Sequence, residues 1–178
     1  MPQYLSSSHN KRYSWSTIVW FTLLLASVIL RFYRVGAHPV GMDYDQVREA
    51  YLASHLFKDF HVVVDNLMFL HLTSLRLVQL VFGLGELSTH IHAACWFTLT
   101  LIPLYWLTFD LFGKSVARWG IVLLSFSVIG FTSTRVGHIP ISVPFFAFSA
   151  FLAGERLLRI GSYWYAVLLG GVLGLGVF

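Results

Sequence analysis

Acidic residues are scarce in this sequence: eight Asp and Glu among 178 residues, against twelve Lys and Arg. Charge of either sign is only 11% of the chain, while 57% is hydrophobic and mean hydropathy is +0.72. So little charge excludes an ordinary soluble domain and points to a polytopic membrane protein. A single cysteine, Cys95, rules out an internal disulfide and reads as a small buried hydrophobe. The net charge of +4 comes from basic residues scattered singly or in pairs between apolar runs. That dispersal argues against a nucleic-acid face and for a bias of Lys and Arg to one side of a membrane. No internal repeat, low-complexity tract or domain boundary is visible.

Six apolar stretches remain: Ser14 to Leu30, Leu67 to Gly85, Ile91 to Phe109, Trp119 to Ser133, Ile139 to Gly154 and Tyr163 to Phe178. The first follows Lys11 and Arg12 but has no small-residue cleavage site after it, so it reads as a retained helix with a cytoplasmic N-terminus. The second carries Arg76 near its centre, which costs about 2.5 to 3.5 kcal/mol on insertion scales. If all six crossed, Lys114 and Arg118 would fall outside together with Arg156 and Arg159. If the second does not cross, these four join Lys11 and Arg12 on the cytoplasmic side. The expectation is therefore an all-α, multi-pass protein with five spans, at about 14–31, 90–110, 118–133, 139–155 and 162–178. Residues from about 32 to 88 would form a long outer loop with interfacial or re-entrant helices. The last stretch ends on Gly174-Leu175-Gly176-Val177-Phe178 without a polar flank, so the chain is expected to be the N-terminal part of a longer protein and inactive alone.

Within the outer loop, Asp43 and Asp45 stand out because so apolar a chain places few carboxylates near a span. Gly36, Pro39 and Gly41 break the chain before them, and Tyr44 to Phe57 has helical spacing. One stripe carries Tyr44, Val47 and Tyr51, and another Asp45, Arg48, Glu49 and Leu52. Either carboxylate can serve a helix start, where free amides favour negative charge, or take part in chemistry. Short helices around Thr132 to His138 would bring Arg135 and His138 to the same side as Asp45. Arg135 also reads as an interfacial anchor, and His71, His90 and His92 as structural or flanking residues.

The run Leu30-Arg31-Phe32-Tyr33-Arg34-Val35-Gly36, followed by Pro39-Val40-Gly41-Met42-Asp43-Tyr44-Asp45-Gln46 and Ala50-Tyr51, resembles the opening of GT-C glycosyltransferases. It is most similar to the branch of protein O-mannosyltransferases and the bacterial aminoarabinose transferase. Gly83 to Ser88, Asp110-Leu111-Phe112-Gly113-Lys114 and Ser133 to His138 resemble later family motifs in the same order. The resemblance implies sugar transfer from a polyprenyl-phosphate donor to a lipid, glycan or protein acceptor. Transfer would occur at the outer face, with localisation in a bacterial inner membrane. It implies Asp45 as catalytic base, and Arg135, His138, Asp43, Gln46 and Arg34 as donor-phosphate or substrate contacts. No metal site is assigned: the resemblance leaves a divalent cation, Mg or Mn, open as cofactor, and Gln46 stands where the family usually has an acid. The paired prolines expected near His71 are absent, and no acid follows Arg135 before Pro144. Arg76 and Pro103 support a competing reading as a transporter or channel subunit, and a non-catalytic scaffold or pseudoenzyme is the third.

Overall fold

The computed structural model describes residues 15–35, 42–58, 69–136 and 139–177, which are helical with no strand among them. The helices are α1 (Trp15–Phe32), α2 (Tyr44–His55), α3 (Phe69–Phe82), α4 (Glu86–Phe112), α5 (Lys114–Ser125), α6 (Val128–Val136), α7 (Val143–Ile160) and α8 (Tyr163–Val177). A short 3₁₀ turn, Ile139–Ser142, leads into α7, with Pro144 in the first helical turn, where its missing N–H costs nothing. Lys11, Arg12 and His138 lie outside the described residues.

Side-chain contacts fix the direction of each helix. Trp20 near the start of α1 donates to the Arg118 carbonyl early in α5, while Arg31 at its end reaches Ser125 at the end of α5. These two helices therefore run parallel. Between α4 and α5 there is one residue, Gly113, at φ 84°, a left-handed conformation that glycine adopts without a Cβ penalty. Asp110 at the end of α4 pairs with Arg156 near the end of α7, and Trp96 in the first half of α4 stacks on Phe145 and Phe146 at the start of α7. Gly161, at φ 70°, ends α7, and α8 returns until Gly176 meets Phe146. Among the described residues, these helices thus run between one end, which carries Lys114, Arg118, Arg156 and Arg159, and an opposite end formed by the exits of α1 and α6.

Helices α2 and α3 do not make a full pass. Helix α3 begins beside Trp96, the eleventh residue of α4, and runs back to join α4 through Gly83–Gly85. Its 14 residues, about 21 Å long, cover only the first half of α4. Ala53 of α2 and Leu56, which caps its end, pack on Leu72 and Leu75 of α3. The inward stripe of α2 is Gln46, Glu49, Ala53 and Leu56, while Tyr44, Val47 and Tyr51 are exposed. Sequence spacing had grouped Glu49 with Asp45. The packing separates them, because Asp45 falls one position off the stripe that meets α3.

Burial is inverted relative to a water-soluble bundle. The buried positions of the long helices are mostly small or polar, such as Ser27, Ser88, Thr89, Ala93, Ala94, Ala117 and Ser125. Large apolar side chains such as Phe21, Leu25, Ile29 and Leu123 point outward. Close helix contact through small residues, with bulky apolar groups on the outside, suits a lipid solvent. By length and apolarity, α1 and α4 can cross a membrane, and so can α5 with α6 if this pair is one span. The latter was expected as a single run over about 118–133. It is bent by 51° at the break after Ser125, where Phe126 and Ser127 leave the helix. Cys95, expected to be buried, is partly exposed.

Candidate active site

The end opposite the basic corners gathers most of the polar side chains singled out in the sequence. Asp43 caps α2: its Oδ1 accepts the Gln46 N–H at 3.0 Å, and Gln46 Oε1 accepts the Asp43 N–H at 3.1 Å. This reciprocal capping box satisfies two amides that a helix start otherwise leaves open. Gln46 is buried by it. Asp45, in the first turn, is exposed and makes no hydrogen bond or ion pair among the described residues. Its carboxylate is held where the helix dipole favours negative charge, with its lone pairs open.

The two arginines do something the sequence did not indicate. Arg135, at the end of α6, donates to the carbonyls of Tyr33 at 2.7 Å, Arg34 at 2.9 Å and Leu30 at 3.4 Å. These are open carbonyls of the α1 exit, and a guanidinium there satisfies acceptors as well as complementing the dipole. Arg34 itself has φ 50°, a conformation unusual for a residue with a Cβ, and Arg135 holds its carbonyl. The Arg34 side chain is exposed. Arg31, by contrast, is fully buried and donates to the Ser125 carbonyl at 2.6 Å, at the break between α5 and α6. Its guanidinium lies 4.0 Å from the centre of the Phe97 ring, and its Nε and Nη1 find no partner. Thus α1 satisfies the end of α5, and α6 satisfies the end of α1.

Beneath α2 lies a buried network that sequence reading missed. His71 Nε2 is 3.3 Å from Glu49 Oε2, and its Nδ1 is 3.1 Å from Ser142 Oγ. Nε2–H donating to the carboxylate, with the serine hydroxyl donating to Nδ1, satisfies both ring nitrogens. The His92 ring meets His71 edge-on, with centroids 4.7 Å apart. His92 Nε2 accepts the Trp96 indole N–H at 2.9 Å and lies 2.8 Å from Ser74 Oγ. His90 reaches the Val35 carbonyl at 3.0 Å, tying the start of α4 to the exit of α1. Four elements are joined here: α2 by Glu49, α3 by His71 and Ser74, α4 by His92 and Trp96, and the 3₁₀ turn by Ser142. The signal available in the sequence was the presence of two histidines within or beside apolar runs, where an unpartnered ring is costly.

Among the described residues, no three His, Cys, Asp or Glu side chains converge as a metal site. Asp43 is engaged in the cap and Gln46 contributes no charge, so among the described residues the neighbours of Asp45 do not provide the donor set of a divalent cation. Pro103 is buried within a continuous α4. Comparison of the chain with family models, curated proteins and solved structures finds no match.

Proposed function

We propose that this chain is of the GT-C membrane glycosyltransferase kind, moving a sugar from a polyprenyl-phosphate donor to a lipid, glycan or protein acceptor. The observation that carries the reading is Asp45: an exposed carboxylate, without a partner among the described residues, at the start of a surface helix in a chain with few acids. The exposed stripe Tyr44, Val47 and Tyr51 supports an interfacial placement of α2, with Asp45 near the lipid headgroups. The grouping of Lys114, Arg118, Arg156 and Arg159 at the far end is consistent with a cytoplasmic placement of that end, which would leave Asp45 on the outer side of a bacterial inner membrane in this reading.

In the proposed reaction the acceptor oxygen attacks the anomeric carbon while Asp45 takes the hydroxyl proton. The bond from that carbon to the phosphate oxygen breaks, and the lipid phosphate leaves with the electron pair. The enzyme must then hold the phosphate charge with cations or N–H donors. Arg135 was the first expectation for this role. With its guanidinium on the α1 carbonyls, it supports the Arg34 backbone, and the exposed Arg34 side chain becomes the first cation to test. Asp43 and Gln46 serve the reaction by setting the start of α2.

The test is sugar transfer from labelled polyprenyl-phosphate donors in membranes expressing the whole reading frame, comparing wild type with Asp45→Asn. Loss of a general base reduces turnover by about 10²- to 10⁴-fold. Transfer by Asp45→Asn at the wild-type rate would remove Asp45 from the reaction.

A further inference from the structure

We propose that the basic end of the bundle binds one anionic membrane lipid, with its phosphate at Lys114 and Arg118 and its apolar chain along the groove between α1, α4 and α5. The groove encloses about 330 Å³, and its walls include Leu24 and Val28 of α1, Leu99 and Ile102 of α4, and Ile121 of α5. Trp20 closes one end. The same Trp20 lines a second cavity of about 230 Å³, with Ser16, Lys114, Ser115, Arg118 and Trp119. One indole is therefore shared by the apolar groove and the basic cavity. From Val28 to Ser16 along α1 is about 18 Å, so a single extended chain can lie in the first while its headgroup occupies the second.

The basic cavity is preorganised. The Trp20 indole N–H donates to the Arg118 carbonyl at 2.9 Å, and the Arg118 guanidinium lies 5.6 Å from the Trp20 ring centre. These contacts hold the side chain at the cavity wall, where its Nε is buried without a partner. Among the described residues, no acidic side chain lines this cavity. Asp110, the acid closest in sequence, is paired with Arg156 and accepts from Arg159 through its carbonyl. Two cations with no acidic partner among the described residues, beside an apolar groove, match the chemistry of a phosphate-headed lipid. A zwitterionic lipid would bring a compensating positive charge, and a free phosphate would leave the groove unfilled. This site is at the opposite end from Asp45 and does not depend on the transferase reading.

The experiment titrates purified protein in a neutral maltoside detergent with phosphatidylglycerol, with phosphatidylcholine of the same acyl chains, and with inorganic phosphate. Native mass spectrometry counts adducts, and thermal unfolding reads the stabilisation. One retained phosphatidylglycerol is expected, bound at least about tenfold more tightly than phosphatidylcholine, with no stabilisation by phosphate. Lys114→Gln, at an exposed position, should weaken phosphatidylglycerol about fivefold, and Lys114→Gln with Arg118→Gln about 30-fold. Ile102→Trp, which fills the groove without changing charge, should weaken it as well. Equal binding of the two lipids, equal stabilisation by phosphate, or undiminished binding by Lys114→Gln would each overturn the proposal. If the double variant unfolds early without lipid, Lys114→Gln alone decides.

Discussion

Truncating Glu49 should reveal how far the buried network holds α2 onto the bundle. Its carboxylate accepts from His71 Nε2 at 3.3 Å, with both side chains at most 6% exposed. In Glu49→Ala the His71 N–H keeps its burial and loses its acceptor, at about 1 to 3 kcal/mol. Removing the side-chain methylenes from contact adds roughly 0.8 kcal/mol each. Against this, the variant also removes Glu49 Oε1, which has no partner and is itself costly to bury. The expected net loss is about 2 to 3 kcal/mol. Glu49→Gln retains the stem and an acceptor oxygen, losing only the charge assistance, so about 1 kcal/mol or less is expected. Thermal unfolding in detergent reads the difference, at about 2 to 4 °C per kcal/mol for a chain of this size. A double-mutant cycle with His71→Ala should give a coupling of about 1 to 2 kcal/mol, above the 0.3 to 0.5 typical of independent sites. Equal losses in the Ala and Gln variants, or simple additivity with His71→Ala, would refute the reasoning.

Other perturbations follow from contacts at particular residues. Asp43→Ala removes the cap of α2 and should cost about 1 kcal/mol, with faster amide exchange over the first turn of that helix. Arg135→Ala strips three carbonyls at the α1 exit of their donor and should destabilise by about 2 to 3 kcal/mol in chemical unfolding; Arg135→Lys should recover only part, since an ammonium lacks the planar fork. A Cβ at Gly130 would lie 2.7 Å from the Leu124 carbonyl oxygen and 2.9 Å from Phe97 Cζ, so Gly130→Ala should cost about 1 to 3 kcal/mol. Gly120→Ala, where a Cβ meets nothing within 4 Å, should instead stabilise by about 0.4 to 1 kcal/mol in the same assay.

Features set by neighbours within a few residues were readable along the chain. Asp43 as a helix-start residue, α2 from Tyr44, and the helical content follow from breakers, caps and apolar periodicity, all of which act over one or two turns. Lys114, Arg118, Arg156 and Arg159 could be assigned to one side because Lys and Arg follow a rule of membrane topology rather than of packing. The bend after Ser125 was not readable. The stretch carries no proline there, its serines are tolerated in a membrane helix, and the Ser125 carbonyl opened at the bend is satisfied by Arg31, 94 residues away. The separation of Glu49 from Asp45 was hidden in the same way: both are acids on one helix, and only the azimuth at which α3 packs turns one inward.

The sequence by itself determined a helical, lipid-compatible chain, the position of its acidic pair and the basic character of one end. Tertiary structure decided which polar groups meet. Glu49, His71 and Ser142 lie 22 and 71 positions apart, and Arg135 is about 100 positions from the carbonyls it holds. Such contacts depend on the rotation and height at which helices pack, which local propensity does not encode. Asp45 and Asp43, two residues apart and alike in the sequence, are told apart by geometry: one closes a helix start, and the other projects from it with its oxygens open.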